Sequence, residues 1–148
     1  MTTEVMHDLV CDIQHSVEIE AKADKVFRGL IERITNLSSG KNGQTMPLKL
    51  EEWPGGRWYR DLGNKTGHLW GHVQSIKPPV LLEIYGPMMM SYAVASNLII
   101  RLKEERGVTT VTLRHQILGN IPDEYRKGMD EGWTEMLNGI PGVRKSSE

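Results

Sequence analysis

"EEWPGGRWYR", residues 51–60, sets a Pro-Gly-Gly break against alternating arginines and aromatics. Three chemistries use such a stretch: a basic-aromatic surface for nucleic acid, a glycine loop around a phosphate, or the turn and first strand of a hairpin. A phosphate loop needs a nest of backbone amides that runs into a helix, with a lysine after it. Here Gly55-Gly56 runs into Arg57-Trp58-Tyr59-Arg60, whose aromatics favour a strand. Pro54 cannot donate to a β-ladder and marks a strand end. The stretch reads as a hairpin.

Downstream, the hairpin extends into a run of strands, roughly Leu48–Trp53, Arg57–Asp61, His68–Ile76, Leu81–Tyr85, Asn97–Glu104 and Thr109–Leu118. Turn signals separate them: Pro54-Gly55-Gly56, Gly63-Asn64, Pro78-Pro79, Gly86-Pro87 and Arg106-Gly107. Connections this short join antiparallel neighbours, so the sheet is expected to be a meander. Upstream, "CDIQHSVEIE" (11–20) alternates strictly, with Cys11, Ile13, His15, Val17 and Ile19 on one face, the period of a half-buried strand. "ADKVFRGLIERIT" (23–35) spaces Val26, Leu30, Ile31 and Ile34 as a helix does, with Asp24 as its expected N-cap. Residues 36–47, "NLSSGKNGQTMP", break regular structure.

The last element is "PDEYRKGMDEGWTEMLNGI" (122–140), with Tyr125, Met129, Trp133, Leu137 and Ile140 on one helical stripe. Pro122 suits its first turn and Pro141-Gly142 stops it. Gly128 and Gly132, one turn apart, each cost about 1 kcal/mol against alanine; they clear one face for the sheet or for a ligand. A long antiparallel sheet with one amphipathic helix at its end must curl round that helix to bury the stripe.

Composition narrows the function. The 148 residues suit one domain spanning the whole chain, able to fold without disulfides or metal. A formal net charge of −1, from 18 basic and 19 acidic residues, leaves no cationic surplus to neutralise phosphates, so no nucleic acid is expected as partner. The single cysteine, Cys11, has no internal disulfide partner and is expected as a buried, inert thiol. No apolar run approaches the ~20 residues of a membrane helix, and the N-terminus lacks the basic flank and apolar stretch of a signal peptide. A cytoplasmic protein with no membrane partner is expected. His68 and His72 show a metal-like spacing, but in a strand four residues span roughly 13 Å, too far for one ion. No metal or cofactor is expected.

The element order and several motifs resemble the helix-grip fold of the START/birch-pollen-allergen (SRPBCC) superfamily. Within it the chain is most similar to the domain named after the C-terminal part of the activator of heat shock protein 90 ATPase. The residues that carry the resemblance are "EAKADKVFRGL" (20–30) after the opening strand, Gly55-Gly56-Arg57-Trp58 and "GHVQSIKPPVLLE" (71–83). "RLKEERGVTTVTLRHQ" (101–116) and Gly132-Trp133 with Leu137 complete it. The resemblance implies an α+β domain: a curved seven-stranded antiparallel sheet wrapped around a long C-terminal helix, with a short helical segment after the first strand. It also implies a cavity between helix and sheet. It implies no single activity, because relatives include lipid carriers, hormone sensors, resistance proteins, cyclases and co-chaperones.

On that frame Trp58 points inward, which takes Arg60 toward the cavity. An arginine there needs a carboxylate or an anionic ligand group; the alternative is a rim position, in solvent or paired with Glu52. His15 and His115 sit on the apolar faces of strands that the fold makes neighbours. They are read either as hydrogen-bonded core histidines or as ligand contacts, and with a third group as acid-base catalysts. "PMMMSY" (87–92) contributes Met89 and Tyr92, as a deformable pocket wall or as core filling. Met129 and Trp133 are first core, and pocket lining where the sheet curls widely.

The leading expectation is a protein that binds a small, largely apolar molecule through His15, Trp58, Met89, His115, Met129 and Trp133, with Arg60 or Tyr92 as polar handles. The first rival is a co-chaperone-like interaction domain acting through its surface on heat shock protein 90. The second is a cyclase- or hydrolase-type enzyme using the two histidines. A homodimer enters if Trp70 faces outward, a direction that a bulge near Ser75 would reverse.

Overall fold

A computed structural model describes residues 9–39, 43–88 and 91–143. The elements follow in the order β1 (Val10–Ile19), α1 (Ala23–Ile34), β2 (Lys49–Leu50), β3 (Arg57–Gly63), β4 (Thr66–Lys77), β5 (Leu81–Tyr85), β6 (Ala95–Glu105), β7 (Val108–Leu118) and α2 (Asp123–Asn138). The seven strands form one sheet in the order β1-β7-β6-β5-β4-β3-β2, every pair antiparallel. From β2 to β7 the chain meanders, as the short turns require. β1 alone is out of sequence, and closes on β7 with Ile13 opposite His115 and His15 opposite Leu113. This is the expected helix-grip architecture, with both helices on one face of the sheet.

The opening stretch is the hairpin anticipated. Gly55 has φ +86°, open to glycine at no steric cost, and a Cβ at Gly56 would sit 2.0 Å from the Glu51 carbonyl oxygen. The Glu51 carboxylate accepts from the Arg57 backbone at 2.9 Å and from its guanidinium at 2.7 Å, which clasps the turn. Arg57 also lies over the Tyr59 ring, and Arg28 pairs with Glu52, tying α1 to the hairpin. Arg57 is thus part of the hairpin's own packing. The strand before the turn is shorter than expected, only Lys49–Leu50. The chain bends at Trp53, whose N–H bonds to the Glu51 carbonyl and whose own carbonyl accepts from Gly56.

The first helix also differs at its start. Its N-cap is Lys22, with no side-chain cap bond, and Asp24 lies in the first turn. The free N–H of Ala23 is taken by the Glu104 carboxylate of β6 at 2.6 Å, so a distant strand caps the helix.

Two irregularities in β4 decide side-chain direction. Pairing with β3 skips Trp70, and pairing with β5 skips Gln74. Trp70 is consequently 6% exposed, in edge contact with Trp58 at 5.0 Å. His72 stacks on the exposed Tyr85 of the other face. Trp70 therefore supplies no outward dimer face. The main core holds Phe27, Leu30 and Ile34 of α1, inward residues of β3 to β7, and Met136 and Leu137 of α2. A smaller cluster of Ile13, Ile117, Ile121 and Met129 seals the far end, and Trp133 packs against both. Each fully buried aliphatic side chain here contributes roughly 1.5–3 kcal/mol.

Candidate functional site

Between α2 and the sheet lies a cleft of about 470 Å³. Three of the four tryptophans, Trp58, Trp70 and Trp133, border it, with Met88, Met129 and Met136. The end of α1 contributes Arg33 and Ile34, and the following segment Ser38, Ser39 and Gly43. Along α2 the wall is Tyr125, Gly128 and Gly132, with Glu124, Glu131 and Glu135 beside them. Both glycines are exposed at the cleft's edge. A Cβ at either would meet nothing within 4 Å, so they do not admit a closer sheet; they leave a gap.

Trp58 is held by its indole N–H, which donates to the Ile34 carbonyl at 2.9 Å and locks β3 to the end of α1. His115 lies beneath Trp133, wholly buried. The Trp133 indole N–H donates to His115 Nδ1 at 3.0 Å, and an indole can only donate, so Nδ1 carries the lone pair and Nε2 the proton. Nε2 meets Ser96 Oγ at 3.1 Å, and Ser96 donates onward to the Gly86 carbonyl. Burial pushes the pKa of this imidazole down to about 4. It is a neutral histidine with both ring nitrogens committed.

His15 is bound elsewhere. Its Nε2 meets Asp130 Oδ1 at 2.7 Å and Thr134 Oγ1 at 3.2 Å, with a quarter of its side chain exposed. The two histidines thus brace separate points of α2 against β1 and β7. This arrangement differs from a catalytic pair, because each ring is bonded to a different residue of the helix.

Of the ligand contacts expected from sequence, Trp58, His115, Met129 and Trp133 border the cleft. His15, Arg60 and Tyr92 are not among its lining residues. Arg60 does not pair with Glu52, whose carboxylate holds Arg28. Tyr92 stands edge-on to Tyr125 at 5.3 Å, and so touches the cleft through that neighbour. Met89 lies outside the described residues. Sequence reasoning left the direction of Trp70 open, since it depends on the bulge, and passed over Arg33, which looks like an ordinary polar position of an amphipathic helix. Among the described residues no group of three or more His, Cys, Asp or Glu side chains could hold a metal ion, and no helix is long and apolar enough to cross a membrane.

A curved sheet gripping a terminal helix, with a cleft between them, defines the class as a helix-grip domain. Residues 20–143 match the family described as Activator of Hsp90 ATPase homolog 1-like protein, and the chain belongs to it. No curated protein matches the chain at a significant level. Among solved structures, it is similar to CalU16 from Micromonospora echinospora at 20% identity and TM-score 0.59, over 86% of this chain and 71% of that one. It is similar to the Aha1 dimer from Colwellia psychrerythraea at 16% identity and TM-score 0.63, over 87% and 92%. An HSP90 activator from Plasmodium falciparum gives 16% identity and TM-score 0.63, over 92% and 99%. At these identities the likeness is one of fold.

Proposed function

We propose that this protein binds a small, largely apolar molecule in the cleft between α2 and the sheet. One observation carries the reading: Gly128 and Gly132 of α2 border the same cleft as Trp58 and Trp70, and a Cβ at either would meet nothing within 4 Å. Helix-interior glycine destabilises by about 1 kcal/mol per residue, and an unfilled apolar space forfeits dispersion contacts. A ligand with apolar surface recovers both. Pockets of a few hundred Å³, mostly apolar with a few placed polar groups, are the usual form of such sites.

Native mass spectrometry of the chain purified from its own cells, followed by denaturation, tests this. The expected outcome is one small molecule per chain, absent from Gly132→Leu, whose side chain would occupy the gap without meeting a neighbour at Cβ. Retention of the same molecule by Gly132→Leu would overturn the reading.

A second reading is action on heat shock protein 90, motivated by the family and by likeness to the Plasmodium falciparum HSP90 activator. The Colwellia psychrerythraea dimer similarly motivates self-association as its mode. Both would rest on the outer surface, so Gly132→Leu would stimulate the chaperone's ATPase as well as the native chain does.

A further inference from the structure

The cleft is not uniformly apolar, and among the described residues that line it Arg33 is the one cation. Arg33, in the last turn of α1, borders it. The guanidinium lies flat against the end of α2: a Cβ added at Gly139 would sit 2.5 Å from Arg33 Cζ and 2.7 Å from its Nε. A Cβ at Gly139 would displace it from there, and the carbonyl end of a helix favours a cation. Its Nε is buried with no hydrogen-bond partner among the described residues. No described carboxylate reaches it, unlike Arg28, Arg57 and Arg114, which pair with Glu52, Glu51 and Asp12. A buried donor left unmade costs about 1–3 kcal/mol, more when charged. The guanidinium thus packs against Gly139 with its Nε short of an acceptor, beside a space lined with tryptophan.

We infer that the ligand is an amphiphile with a carboxylate head, held by Arg33 while its apolar body lies along Trp58, Trp70 and the glycine gap of α2. This rests on the cleft-binding reading and gives it a chemical class. A planar guanidinium matches a carboxylate with two parallel N–H···O bonds. A single negative charge suits the wall better than two, because Glu124, Glu131 and Glu135 also border the cleft and would repel a dianion such as a phosphate monoester. Those glutamates stand exposed, where water screens them; the Arg33 Nε does not.

Three probes of equal chain length separate the possibilities: decanoate, decanol and decylamine, titrated by tryptophan fluorescence and calorimetry below their aggregation concentrations. Decanoate is expected to bind the native chain about tenfold to a hundredfold tighter than decanol, the worth of charge-assisted hydrogen bonds. Arg33→Gln is expected to erase that advantage and leave decanol unchanged. Equal binding of acid and alcohol to the native chain, or preference for the amine, overturns the inference without any variant; so does decanoate binding that Arg33→Gln does not weaken. If decanol still binds and Gly132→Leu blocks it, the cleft reading survives that failure. If none of the probes binds, or Gly132→Leu blocks none, the cleft reading fails and the inference with it.

Discussion

Buried at the floor of the cleft, His115 links β7 to α2 and to β6 through Trp133 and Ser96. Its neutrality has a consequence for pH. An unfolded histidine takes its proton near 6.5, but the folded ring does so only near about 4. Between those values the unfolded chain binds more protons, so stability is full above about 6.5 and is lost as pH falls toward about 4. The loss is about 3 kcal/mol, at 1.36 kcal/mol per pKa unit. His115→Gln keeps one donor for Ser96 and one acceptor for Trp133 but does not titrate. Urea unfolding of both proteins is expected to show the native chain losing about 3 kcal/mol relative to the variant between pH 7 and pH 4. Parallel pH profiles would show that His115 is not held neutral.

At the scale of elements, α2 carries a conflict between stability and space. Its tryptophan, methionines and leucine pack inward, but Gly128 and Gly132 interrupt the wall with nothing in front of them. Gly128→Ala and Gly132→Ala are each expected to stabilise the protein by about 1 kcal/mol, because a methyl group improves helix propensity and meets no neighbour. Thermal melts check this directly. A loss of stability would mean that backbone or side chains close onto these positions in solution. The same helix is braced by ties that do not depend on the cleft: His15 to Asp130 and Arg126 to the Val10 carbonyl at 3.1 Å. Further ligand-free rigidity comes from β3, whose Trp58 anchors the end of α1.

Across the whole molecule, α2 is the element that closes the grip. Its last turn enters the main core through Met136 and Leu137, and the chain beyond it returns to β1, where Glu20 N–H bonds to the Gly142 carbonyl at 3.1 Å. Leu137 has no exposed surface. Leu137→Ala is expected to cost about 2–5 kcal/mol and to lower the midpoint of a single cooperative transition seen alike by circular dichroism and tryptophan fluorescence. Separate transitions for the two probes would mean that the helix leaves the sheet before the sheet unfolds.

Much of this was legible in the residues. The alternation of residues 11–20, the Pro-Gly-Gly turn and the short separators after it dictate an antiparallel meander, because period-two burial and two- to four-residue turns admit little else. The stripe from Tyr125 to Leu137 dictates a helix that must be covered. The resemblance carried by those motifs gave the closure of β1 on β7 and the inward turn of Trp58. Local pattern could not show that Glu104 caps α1 in place of Asp24, since that bond spans 81 residues. Nor could it show that a bulge at Trp70 turns one ring inward while His72, two residues later, lies on the other face. The site depended most on tertiary structure. An inward Trp58, taken from the resemblance, offered Arg60 toward the cleft or at its rim, whereas the cation that borders it among the described residues is Arg33, packed against Gly139 beyond α2. Sequence periodicity determines which face of an element is apolar; which polar group is left without a partner is decided only when the elements meet.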